Sequence, residues 1–259
     1  MSRFGESFWS TLPLGPGVKL LTSDANGLVA LAKPAGVLSH PNQPKDRSRS
    51  LLMASYEVES ECFAWPQTVN SEKGSSTANK LWLLNRLDSA TSGVILAAAT
   101  EALAIETRSL FQRRHIHKVY LALVFGLLPV THQTWHDRLA VQKAGGKIRT
   151  DVAGNIPAES QVRVLRSKRG GDVPLTLLQL EPKTGRSHQL RVQCAKRHLP
   201  IVGDATYGNF RANREFAKVT GNDRLFLHSS ETSFRYSFGG KDFHFAARAE
   251  LPKEFEAVF

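Results

Sequence analysis

Residues 85–93 read NRLDSATSG and lie between two apolar runs, LWLL at 81–84 and VILAAA at 94–99. Apolar runs of this length, bounded by turn-forming residues, suit buried strands. A polar segment between two buried strands is costly unless its groups are paired or functional. Its single carboxylate, Asp88, comes two residues after Arg86 and precedes small polar residues that end in Gly93. Two readings of the residues stand open. One is a turn in which Asp88 and Ser89 hydrogen-bond their own backbone. The other is a carboxylate held out for chemistry.

Charge narrows the choice of partner. Lys and Arg number 34 against 23 Asp and Glu, a net charge of +11, and such an excess favours a polyanion. The two cysteines, Cys62 and Cys194, lie far apart without C-x-x-C spacing. That argues against a disulfide framework and a zinc site. The first residues lack the basic-then-apolar order of a signal peptide. No apolar run approaches the roughly 20 residues of a membrane span. A cytoplasmic protein, with no membrane association, is the expectation.

The 259 residues, 41% hydrophobic, suffice for one large domain or two small ones with a real core. Residues 1–17 read as an irregular arm, and 18–259 as one folded domain. The run 28–32 is a strand signal, ending in the turn Lys33-Pro34-Ala35-Gly36-Val37. Residues 41–49 are polar and basic, and 67–80 read as a polar, Ser-rich surface loop. Helical spacing covers 101–114. Strand patterns follow at 117–124, 161–165 and 175–180, with a hairpin-like excursion at 142–156. Late strands are expected at 225–228 and 243–245, then a short terminal helix at 252–259. Strands outnumber helices without alternating with them, which favours α+β.

Four blocks carry a resemblance. Arg86-Leu87-Asp88 with Thr91-Ser92-Gly93 is similar to the signature H-R-L-D-x-x-T-S-G of the RluA-type pseudouridine synthases, with Asn85 where that family has histidine. The strand beginning Lys118-Val119-Tyr120 resembles its K-x-Y-x-A-x-V-x-G. Residues 180–191 resemble L-x-P-x-T-G-R-x-H-Q-L-R, and 201–208 resemble I-x-G-D-x-x-Y-G. Residues 207–214 faintly resemble a stretch of the family's transfer-RNA branch that modifies the acceptor stem.

The resemblance implies an α+β pseudouridine synthase catalytic fold, a mixed and mostly antiparallel sheet bent around a cleft with flanking helices. No RNA-binding module is expected ahead of it. It implies isomerisation of uridine to pseudouridine in transfer or ribosomal RNA, without metal or cofactor, by a monomer. Asp88 would start the glycosidic cleavage, Arg191 would pair with it, and Tyr120 would stack on the base. Arg86, Arg186, Lys33 and Asn85 would contact the substrate. His188 reads as structural. A silent RNA-binding protein on the same fold is the alternative, motivated by Asn85. A carboxylate glycosidase would need a second acid, with Asp204 and Glu181 as candidates. The pair His132 and His136 has the spacing of helical metal ligands but no acidic ligand set nearby.

Overall fold

The computed structural model describes residues 4–66, 78–144, 147–170 and 173–259. The chain divides into two compact units, one of residues 1–116 and 231–249, the other of 117–230 and 250–259.

In the first unit, a short helix α1 (Glu6–Trp9) leads into β1 (Lys19–Ser23) and β2 (Leu28–Lys33). After a 3₁₀ turn at Pro44–Arg49 come β3 (Ser55–Glu57), β4 (Cys62–Trp65), β5 (Asn79–Leu83), β6 (Ser92–Ala98) and helix α2 (Glu101–Arg113). β2 pairs with both β1 and β6, and β3, β4, β5 and β6 follow one another, all antiparallel. The two apolar runs of the sequence thus fall on β5 and β6. β2 and β6 are buried almost throughout because both faces of the sheet are covered. Leu28, Ala30, Val94 and Leu96 enter one core with Leu103 of α2. Val29, Leu31, Ile95 and Ala97 enter the other, as the two-residue side-chain period requires. That second core also takes Trp9 and Leu12. The segment expected as an irregular arm is therefore packed from residue 4 onward, by its own tryptophan and leucine. Thr100 caps α2 by accepting the Leu103 N–H, and Arg114 ends it in the left-handed region.

The second unit holds β7 (His117–Phe125), β8 (His132–Ala144), β9 (Lys147–Lys168) and β10 (Leu175–Pro182), then α3 (Gln189–Lys196) and α4 (Phe210–Thr220). β10 pairs antiparallel with β7 and β9, and β9 with β8. β11 (Leu227–Phe238) begins in this unit and ends in the first, where it pairs with β12 (Lys241–Arg248). The chain closes on α5 (Lys253–Glu256) in the second. The excursion expected at 142–156 is the far part of the β8–β9 hairpin. The register there jumps, from Leu139 opposite Ile156 to Ala140 opposite Asp151. Gly154 fills the bulge, where a Cβ would stand 2.0 Å from the Leu139 carbonyl oxygen. The surface loop expected at 67–80 falls mostly outside the described residues.

Cross-strand register fixes which side chains share a face. Tyr120 stands opposite Leu180, and Leu180 opposite Val162. Lys118, two residues before Tyr120, points the same way. So does Ser160, whose hydroxyl donates to Gln193 of α3. Lys118, Tyr120 and α3 thus occupy one face of this sheet. His132, Gln161, Arg163, Gln179 and Glu181 line a shallow cup on the other. His132 and His136 lie on a strand, not a helix, and no group of three His, Cys, Asp or Glu among the described residues could hold a metal. Each unit holds one free, buried cysteine, Cys62 in the first and Cys194 in the second.

Candidate active site

The loop between β5 and β6 carries Asp88, half-buried, with its two neighbours pinned. Ser39 Oγ donates to the Leu87 carbonyl at 2.7 Å and accepts from the Leu87 N–H at 3.0 Å. The Ser89 carbonyl accepts from the Gly36 N–H at 2.8 Å and from Lys33 Nζ at 3.0 Å. The Asp88 carbonyl accepts from the Thr91 N–H. The turn at residues 33–37 and the residues just after it thus clamp the aspartate from both sides.

Two expected substrate contacts have other work here. Lys33 is 1% exposed, and its ammonium donates to the carbonyls of Pro34, Val37 and Ser89. A buried cation needs such partners, so Lys33 secures the loop rather than reaching into solvent. Asn85 Oδ1 accepts the Leu96 N–H at 2.8 Å, which ties the loop to β6. Arg86 is exposed and lies 3.6 Å from Glu61. Glu61 also faces Arg108 at 3.5 Å.

Of the other expected site residues, Tyr120, Arg186 and Arg191 lie in the second unit. Tyr120 is half-buried on β7. Arg191, on α3, is 8% exposed and meets Asp204 in a two-pronged pair, Nε to Oδ2 and Nη2 to Oδ1, each 2.8 Å. Asp204 is 1% exposed and also accepts the N–H groups of Thr206 and Tyr207. Burial pushes its carboxyl upward, but the Arg191 hydrogen bonds and charge outweigh this and hold it below the usual carboxylate range. A carboxyl so held is ionised and cannot be a general acid, which removes Asp204 from the glycosidase reading. The Arg191 guanidinium lies over the Tyr207 ring at 5.2 Å. The Tyr207 hydroxyl bonds His188 Nδ1 at 2.9 Å and accepts the Thr150 N–H at 2.8 Å. His188, before α3, is itself left-handed, with φ of 52°.

The turn before α3 is braced by one amide. Gln189 Oε1 accepts from Thr184 Oγ1 and the Arg186 N–H, and its Nε2 donates to the Glu159 carbonyl and Ser160 Oγ. Arg186 is half-buried, its Nε 3.4 Å from the Pro157 carbonyl oxygen. The role of Asp204 as partner of Arg191 was missed in the sequence. The signal was the G-D-x-x-Y block at residues 203–207. The expected Asp88–Arg191 pair joins residues of different units and stands as a proposal.

The RNA pseudouridylate synthase family profile matches residues 27–196. The chain is 33% identical over 229 residues to tRNA pseudouridine synthase C of Salmonella typhi, spanning 83% of this chain and 79% of that one. It is 29% identical over 222 residues to tRNA pseudouridine synthase C of Vibrio cholerae serotype O1, spanning 82% and 83%. Of solved structures, human RNA pseudouridylate synthase domain containing 4 shares the fold, with a TM-score of 0.62 at 21% identity over 92% of this chain and 90% of that one. The matched stretch contains both the Asp88 loop and Arg191, and on this ground the chain belongs to the RNA pseudouridylate synthase family, enzymes that isomerise uridine in RNA to pseudouridine.

Proposed function

We propose that the substrate is a transfer RNA and that Asp88 starts the reaction, with Arg191 as its counter-charge. The observation that carries the reading is the clamp on Leu87 and Ser89, which fixes the backbone of Asp88 while leaving its side chain half-exposed. Such fixing is what a carboxylate needs to act on one atom of a bound nucleotide. The names of the bacterial relatives support transfer RNA. In the reaction the N1–C1′ bond breaks, the uracil turns, and C5 bonds to C1′. C5 loses a proton and N1 gains one, so the product is an isomer. A base stacked in RNA must first be flipped out, at a cost of a few kcal/mol. Arg86, exposed beside the loop, is proposed to fill the vacated space, and Tyr120 to stack on the uracil. The charge of +11 favours holding the RNA backbone. Such an enzyme works where its RNA is, in the cytoplasm.

Asn85 is the one feature that favoured a silent RNA binder. Its side chain is engaged with the backbone of β6, so the departure from histidine falls on loop support and leaves Asp88 in place. The experiment is tritium release from 5-tritiated uridine in transfer RNA, with filter binding on the same RNA. Asp88→Asn keeps nearly the same shape but loses the charge and the nucleophilic oxygen. We expect tritium release to vanish and affinity to stay or rise. Turnover retained in folded Asp88→Asn would refute the role of Asp88. Release from ribosomal RNA alone would refute the substrate.

A further inference from the structure

On the face of the second unit that carries Tyr120 and α3, one cation has no counter-charge among the described residues. Lys118 is half-buried on β7, and among the described residues no carboxylate or carbonyl accepts from its ammonium. Among the described residues the one charge that bears on it is a like one, Lys183. Lys183 lies 3.6 Å from Glu181 and is itself partly exposed. Burial first, and Lys183 second, push the Lys118 ammonium down to about 8. A fold that half-buries two lysines together lowers its own stability unless an anion joins them.

Gly185 shows where that anion would enter. It lies exposed in the turn after β10 and needs no left-handed backbone. A Cβ built on it meets nothing within 4 Å except Lys118 Nζ, at 3.7 Å. Conformation therefore does not demand glycine here. What the missing side chain supplies is access to the ammonium. The turn is rigid, because Gln189 holds Thr184 and Arg186 on either side of Gly185. A braced opening over a cation without a partner is a preformed anion site.

We propose that Lys118 and Lys183, reached past Gly185, bind a phosphodiester group of the RNA substrate. The assignment rests on the RNA reading above and adds to it a defined phosphate contact.

The test uses the full chain and a transfer RNA transcript, with affinity measured against salt and turnover by tritium release. Lys118→Met removes the cation. Gly185→Val keeps it and covers it, so the test survives if one variant misfolds. Losing one phosphate contact should flatten the slope of log affinity against log salt by about 1 and weaken binding about five- to tenfold at low salt. KM should rise by a similar factor while kcat falls by less than about twofold. A wild-type slope and KM in both folded variants would overturn the subsite alone, the wild type still making pseudouridine. A large loss of kcat at unchanged KM would overturn it as well, since Lys118 would then act on the chemistry. A wild type that binds RNA without releasing tritium would defeat the activity of Asp88, and the salt slopes would still decide the phosphate contact.

Discussion

Arg191 meets Asp204 in a buried two-pronged pair, and that carboxylate is the informative target. Asp204→Asn keeps the shape but leaves one acceptor where the guanidinium met two, and it removes one charge of a buried pair. Breaking a buried pair costs about 3–5 kcal/mol. We expect a loss of that order by urea unfolding at pH 7. The pH dependence has a definite sign. The Asp204 carboxyl is held below its unfolded value, so its stabilisation is present above about pH 4 and is lost as pH falls through the folded value. Wild-type stability should therefore drop more steeply than that of Asp204→Asn on acidification below about pH 4. Parallel curves would show that the pair contributes nothing to folding. At this scale the motifs pointed to candidates for chemistry but not to what supports them. Asp88, Tyr120 and Arg191 stood out by motif, but the tasks of Lys33 and Asn85 depend on the carbonyl and N–H groups that the fold brings to them. No spacing along the chain reveals such partners.

Polar bonds help to dock α3. Asp137 on β8, with its side chain fully buried, accepts from Gln193 at 2.9 Å, Lys196 at 2.7 Å and Arg197 at 2.9 Å. Burial pushes its carboxyl up, and these donors more than offset that and bring it down. Asp137→Ala would leave one buried amide and two cations without their acceptor, at a cost of about 2–4 kcal/mol. Because α3 carries Arg191, we expect kcat to fall in protein that circular dichroism shows to be folded; unchanged kcat would mean that α3 holds its place without Asp137. The same polarity hid the helix. QLRVQCAK has no apolar stripe, and two of its buried residues are glutamines. α2 was legible from its apolar spacing. α4 was missed because Ala212 is its one buried residue. The long β8–β9 hairpin was seen only in pieces, since the bulge at Leu139 shifts its alternation.

For the whole molecule, net charge overstates what is available to RNA. Arg108 donates to the Leu83 and Ser60 carbonyls, Lys196 and Arg197 hold Asp137, and Arg191 holds Asp204. If about five phosphates are neutralised, affinity should fall by about two to three decades between 50 and 200 mM salt. A flat titration would remove electrostatics from the binding argument. The order of motif blocks in the sequence conveyed the family. The division into two units was hidden, because the boundary after residue 116 falls between α2 and β7 without a linker. That division gives the two buried cysteines a use as clocks. Burial raises both thiols, so neither reacts readily until its surroundings open. With one thiol in each unit, the labelling rates of Cys62 and Cys194 by an alkylating reagent, resolved by peptide mass, time the opening of each half separately. Equal rates across a denaturant series would mark a single cooperative unfolding. A faster one would name the half that opens first.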